Sequence, residues 1–251
     1  MKESKGRIDY RIRRGTLVID LKSMHRIISS APRGGGILRA RSILNHQVPA
    51  NPSMLKRRVA RAWGDPARYL GRLALQMKAA MPTVGLMTAV PMKQLVVDRE
   101  QSGPIWIECF CTVGVTNAVR AGEPLPITRR TDARHALGTI NIILVTNATL
   151  TMTAMVGAVQ VATESKTGTL ITNKVPCSSR KSSLATGTGT DAVVIASSLD
   201  GIHKVPYSGT HTEIGAMIGR LVTRCVQAGL TRSAPWYQTR SRQGDRPHAS
   251  A

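Results

Sequence analysis

Along residues 105–115 two sets of side chains interleave. Ile107, Cys109, Cys111, Val113 and Val115 share one face, and Glu108, Phe110 and Thr112 share the other. That period of two predicts a strand. Residues 84–90 and 93–98, separated by Pro91, read as strands as well, and 17–21 with 25–29 read as two short strands around a Lys22-Ser23 turn. Residues 139–146 are almost continuously apolar, as expected of a central strand covered on both faces. Residues 192–196 read as a further buried strand. Elsewhere the period lengthens. Asp65-Pro66 is a helix start, a capping carboxylate followed by Pro, ahead of Tyr69, Leu70, Leu73 and Met77 at helical spacing. Met152, Met155, Val156 and Val159 predict a helix reaching Glu164. Ile214, Met217, Ile218, Leu221, Val222 and Cys225 form the cleanest amphipathic stripe, with Thr210 and Glu213 in capping-box positions ahead of it. The glycine run at 34–36 is expected to lead into a short helix over 37–44, and the stretch after Leu230 lacks periodicity and is expected to be disordered. Interleaved helices, strands and hairpins predict one α+β (mixed α/β) domain, a mixed sheet of about seven strands covered by helices. The expected boundaries are a basic N-terminal extension over 1–15, the domain over 16–230 and a basic tail over 231–251.

Composition narrows the class. Hydrophobic residues make up 42% of the 251, enough for a core, but aromatics are only 3%, so Val, Ile, Leu, Met and Ala must build it. No apolar run approaches a membrane span and no secretory signal is legible, so a cytoplasmic protein is expected. The net charge of +21 is uneven, with 18 basic and 4 acidic side chains in residues 1–80. Such a field attracts polyanions without specifying one. RNA binding is therefore an alternative, although the scarcity of aromatic stacking platforms argues against nucleic acid. Four cysteines without a C-x-x-C pair are expected to be inert buried thiols in a reducing compartment. Phosphate-loop, zinc-helix and nucleophile-elbow signatures are absent.

Four small-polar clusters remain as candidate chemistry. Thr116-Asn117-Ala118-Val119-Arg120 could present an amide at a helix N-terminus. Glu164-Ser165-Lys166-Thr167 places a carboxylate near a helix C-terminus, where the dipole disfavours it. Ala185-Thr186-Gly187-Thr188-Gly189-Thr190-Asp191 exposes alternating backbone N–H groups and hydroxyls, suited to an anion or a developing oxyanion. Tyr207-Ser208-Gly209-Thr210-His211 places a histidine in a first helical turn, where the dipole should keep it neutral and able to accept a proton.

Five segments in order, CTVGVTNAVRAGEP, GTINIILVTNATL, ATESKTGTL, ATGTGTDAVVIA and YSGTHTEIGAMIG, resemble the adenosylcobinamide amidohydrolase family over about residues 16–228. Thr116 and Ser165 stand where members typically carry Ser and Ala. The resemblance implies hydrolysis of the amide joining a corrin propionyl side chain to its aminopropanol arm, giving adenosylcobyric acid for corrinoid salvage. It implies a corrinoid partner that carries its own cobalt and no resident cofactor. The role assignments come from chemistry. His211 is the expected base, Asp191 its orienting partner, and Glu164 or Lys166 the acid that protonates the leaving amine. Asn117, Arg120, Asn141, Thr186, Gly187, Thr188, Gly189, Thr190 and Thr210 are the expected substrate contacts. A divalent metal held by Glu164, Asp191 and His211, a self-processed Thr hydrolase with Thr139 at a new N-terminus, and a non-catalytic corrinoid-binding module are the rival schemes.

Overall fold

The computed structural model describes residues 8–49, 64–123, 138–178, 180–201 and 203–244, with side chains up to Ser233. One sheet dominates, in the order β4-β3-β2-β11-β8-β6-β5 with β1 added beside β2. Its strands are β1 (Asp9–Arg13), β2 (Thr16–Ser29), β3 (Gly36–Gln47), β4 (Thr83–Thr88), β5 (Val96–Ser102), β6 (Ile105–Val113), β8 (Ile140–Thr146) and β11 (Ala192–Ser198). The β3–β4 and β8–β11 pairs are parallel and the others antiparallel, so the sheet is mixed as expected. Two short ribbons stand apart. β7 (Ala118–Val119) pairs with β10 (Gly187–Thr188), and β9 (Thr149–Leu150) with β12 (Lys204–Val205). The helices are α1 (Pro66–Gln76), α2 (Met152–Thr172) and α3 (Glu213–Gly244). Neither α2 nor α3, nor any other described helix, is long and apolar enough to cross a membrane.

The sheet folds over itself. Asn141 of β8 donates to Asn45 of β3 at 3.0 Å, and Asn45 donates to Thr112 of β6 at 3.1 Å. Three strand spacings separate β3 from β8 in a flat sheet, about 14 Å. The direct bonds therefore require β2–β4 to lie across β6, β8 and β11. The bend falls where the β2–β3 register breaks between Asp20 and His25 and Lys22 takes a positive φ of 60°. Four layers result. Ile19, Ile43 and Leu86 meet Phe110, Ile143 and Val194 between the two halves. Helices α2 and α3 cover the outer face of β6, β8 and β11, against Cys109, Cys111, Ile142 and Ile195. Helix α1 covers the other half through Leu70, Leu73 and Ala74 on Val18 and Leu44.

Several local expectations change. Residues 37–44 are strand, not helix: flanked by β2 and β4, they make two ladders, and tertiary pairing outweighs the helix preference of Leu, Arg and Ala. Residues 17–21 and 25–29 belong to one bulged strand. The expected strand at 93–98 begins as a 3-10 turn at Met92–Gln94. Helix α2 runs past Glu164 to Thr172. Part of the expected N-terminal extension forms β1, and residues 231–244 of the expected disordered tail continue α3. Asp65 caps α1 as the sequence indicates, its carboxylate accepting from the N–H of Arg68.

His46 pins α1 to the sheet, with Nδ1 2.8 Å from Thr16 Oγ1 and Nε2 2.9 Å from the Tyr69 hydroxyl. Burial lowers its pKa to about 4. The unfolded chain, with an ordinary imidazole near 6.5, takes up the proton first as pH falls, so stability drops between pH 6.5 and 4 by roughly 3 kcal/mol at most. Chemical denaturation across that range should show the loss, and His46→Gln should flatten it. An unchanged slope in the variant would remove His46 as its source.

Candidate active site

Asp191 organises the junction where three of the four clusters meet. Its Oδ1 accepts from the N–H of Ile140 at 2.9 Å and from Thr188 Oγ1 at 2.5 Å. Its Oδ2 accepts from the Thr188 N–H at 3.0 Å and from Lys166 Nζ at 2.6 Å. The ion pair is largely buried, with side-chain exposures of 9% for Lys166 and 14% for Asp191. Gly187 permits this approach, because a β-carbon there would stand 2.6 Å from Asp191 Oδ2 and 2.8 Å from Lys166 Nζ. The first cluster joins through the β7–β10 ribbon. The Thr186 N–H donates to the Val119 carbonyl, Thr186 Oγ1 accepts from the Ala121 N–H, and Arg120 donates to the Leu184 carbonyl. Thr167 of α2 ties the same loop at the Thr186 carbonyl. The Thr-Gly loop thus clamps Asp191, with the Thr188 N–H already committed to it, and is not the open anion cradle expected from the glycine spacing.

A cavity of about 390 Å³ opens beside this junction, at the mouth of the core between the two sheet halves. Thr139, Asn141, Thr190 and Asp191 form one wall, and Leu86, Met87 and Thr88 of β4 form the other. Asn141 closes the floor by donating to both Asn45 and the Met87 carbonyl. Thr139 Oγ1 donates to the Thr190 carbonyl at 2.7 Å, and Thr190 Oγ1 donates back to the Gly138 carbonyl at 3.1 Å. The role of Asn45 was hidden because 37–44 reads locally as helix. A lone Asn in an apolar run is its only signal, since a buried amide needs partners.

His211 is not part of this assembly. It is exposed and lies ahead of α3, whose cap is Thr212, not Thr210: Thr212 Oγ1 accepts from the Gly215 N–H. Glu213 bonds Ser102 instead of reaching back. Neighbouring Ser208 donates to the Ala154 carbonyl in the first turn of α2. Lys166 stands twelve residues further along that helix, about 18 Å away. The expected His211–Asp191 pair therefore does not form, and the four bonds to Asp191 come from other donors. Glu164 is exposed at mid-helix and, two residues from Lys166, projects from a nearly opposite face. Among the described residues no three His, Cys, Asp or Glu side chains stand where they could share a metal ion. The four cysteines are buried and free. A hydrogen bond with Cys225 and burial push the Cys109 thiol well up, and burial does the same to Cys111, which disfavours the thiolate needed for attack. His211→Ala should leave turnover within about twofold of the parent, as for an isolated surface change. A loss of a hundredfold would return His211 to the active site.

The profile of adenosylcobinamide amidohydrolases matches residues 2–237. The chain belongs to the adenosylcobinamide amidohydrolase family. The family match runs beyond 16–230 into both expected extensions. A Methanosarcina mazei protein named adenosylcobinamide amidohydrolase is 31% identical over 233 residues, covering 89% of this chain and 98% of that one. An uncharacterized protein of Methanocaldococcus jannaschii is 27% identical over 230 residues, 86% of each chain. A solved structure from Pyrococcus horikoshii aligns over 89% of this chain and 79% of that one, with a TM-score of 0.42 and 11% identity. Family membership supports amidohydrolase chemistry, and a corrinoid substrate fits the family.

Proposed function

We propose that the chain hydrolyses the amide between the corrin propionyl side chain and the aminopropanol arm of adenosylcobinamide, giving adenosylcobyric acid and aminopropanol for corrinoid salvage. The observation that carries this reading is the cavity lined by Asp191, whose carboxylate is paired with Lys166. At about 390 Å³ it lies near the small end of drug-sized sites, roughly 300–1,000 Å³, which suits the arm and its amide with the macrocycle left outside. Leu86, Met87 and Val48 offer an apolar wall for the arm's methylenes, and Thr139, Thr190 and Asn141 offer hydroxyls and an amide to its polar atoms. Amide hydrolysis needs an activated oxygen, a stabilised oxyanion and a proton for the departing amine. Asp191 borders the cavity, and Lys166, bonded to it at 2.6 Å from behind the lining, completes the acid–base couple. Arg120, Thr186, Thr188 and Gly187 act one step removed, holding the clamp that fixes Asp191.

Purified protein incubated with adenosylcobinamide should release aminopropanol and adenosylcobyric acid, read by mass spectrometry. Folded protein that binds the corrinoid without release would make it a corrinoid-binding module instead.

A further inference from the structure

The Gly138–Thr139 peptide has surroundings that substrate binding alone does not explain. Its carbonyl oxygen receives the Thr190 hydroxyl, so a donor is already aimed at the position where an oxyanion would develop if that carbonyl carbon were attacked. The neighbouring Thr139 hydroxyl is 5% exposed as a residue, lines the cavity and is oriented by its bond to the Thr190 carbonyl. Around Gly138 three oxygens converge. A β-carbon there would lie 2.6 Å from Asn117 Oδ1, 2.7 Å from Thr116 Oγ1 and 2.8 Å from the Gly114 carbonyl oxygen. Asn117 Oδ1 is buried and has no hydrogen-bond partner among the described residues. A buried unpaired acceptor costs about 1–3 kcal/mol, so its retention calls for a donor that arrives in another state.

We infer that the chain cleaves its own Gly138–Thr139 bond and works with Thr139 as an N-terminal nucleophile. The Thr139 hydroxyl oxygen adds to the Gly138 carbonyl carbon while the Thr190 hydroxyl stabilises the oxyanion. The carbon–nitrogen bond then breaks, the hydroxyl proton passes to the departing nitrogen, and Gly138 is left as an ester on Thr139 Oγ1. Water hydrolyses that ester, releasing a Gly138 carboxylate and a Thr139 that carries both its hydroxyl and a free α-amine. The amine forms one residue along from the Gly138 position on which the oxygens of Asn117, Thr116 and Gly114 converge. Thr139 keeps its place after the cut, because its carbonyl accepts from the Gly114 N–H at 3.0 Å and the next N–H is held by Asp191. The α-amine then lies next to the hydroxyl it must deprotonate, which completes the nucleophile–base pair that the exposed His211 does not supply. The cut stands apart from the corrinoid reading; the use of Thr139 on the arm's amide rests on it.

Intact-mass measurement of freshly translated full-length protein, followed over time, tests the cut. The 27.0 kDa chain should give way to two associated pieces, one ending at Gly138 and one beginning at Thr139. Thr139→Ala should stay whole, Thr139→Ser should still cut, and Thr190→Val should slow the cut about 100-fold, the usual size for one oxyanion donor. A Thr139→Ala chain cut at the same bond would assign the cut to a foreign protease and overturn the inference. So would a parent chain that remains whole while releasing aminopropanol, and that outcome leaves the corrinoid reading intact. A chain that cuts itself but releases no aminopropanol sustains the self-cleavage and removes the corrinoid reading. Thr139→Ser guards against misfolding as the cause of a silent Thr139→Ala variant.

Discussion

Asp191→Asn is expected to lower turnover of the corrinoid amide at least ~100-fold and to cost about 3–5 kcal/mol of stability. Two separate causes act. The carboxylate holds the start of β8 through the Ile140 N–H and the turn of the third cluster through both donors of Thr188, so its loss loosens one wall of the cavity. It also faces Lys166 at 2.6 Å in a largely buried setting, and an amide leaves that ammonium without its counter-charge. A double variant separates them. Adding Lys166→Met to Asp191→Asn removes the orphaned charge, so the denaturation midpoint should recover most of the loss while turnover stays low. Exposed Glu164→Gln is the control, with turnover and midpoint both near the parent. If Asp191→Asn is as stable and as active as the parent, the pair is neither a structural nor a chemical centre.

Asn45→Leu tests the fold-over of the sheet and carries the second large effect. Asn45 is 1% exposed and links β3 to β8 and β6 at once, accepting from Asn141 and donating to Thr112. Leucine keeps the same branched heavy-atom skeleton, with greater bulk, but offers neither bond. The Asn141 amide keeps its bond to Met87, while Thr112 loses the donor to its hydroxyl, so a cost of about 2–4 kcal/mol is expected. Because the same contacts close the cavity floor, KM for the corrinoid should rise with the loss of stability. A cycle with Asn141→Leu isolates the pair: the two changes together should cost less than their sum, since each strands the other's partner. Strict additivity would show that the halves are held by apolar packing alone.

The elements most legible along the chain are those whose signal is local. The alternation over 105–115 identifies β6, whose Cys109 and Cys111 face the helices while Phe110 faces the inner core. The almost continuously apolar run at 139–146 is covered on both faces, as such runs require. Asp65-Pro66 starts a helix because both residues act within one turn. The four-cluster ordering of small polar residues also led to the correct family. Local pattern singled out Asp191 and Lys166 separately and expected His211 beside Asp191, whereas the structure pairs Asp191 with Lys166. A histidine near a helix start looks like a base from its neighbours in sequence, and nothing in those neighbours tells which end of the sheet it occupies.

Thus periodicity, capping and turn chemistry within a few residues determined strands β4, β6, β8 and β11, the three helix starts to within two residues and the mixed domain, while the resembling segments pointed to the family. Tertiary structure decided the rest. Residues 37–44 became strand because ladders on both sides supply backbone partners that a short helix lacks. The lysine of the second cluster met the aspartate of the third, 25 residues away, because α2 returns over the sheet and Gly187 leaves room for the contact. Asn45 and Asn141, 96 residues apart, came within 3.0 Å only because the sheet bends at the β2 bulge. Spacing along a chain sets which face a side chain takes within its own element; where that face points depends on how distant elements bury their apolar surface together.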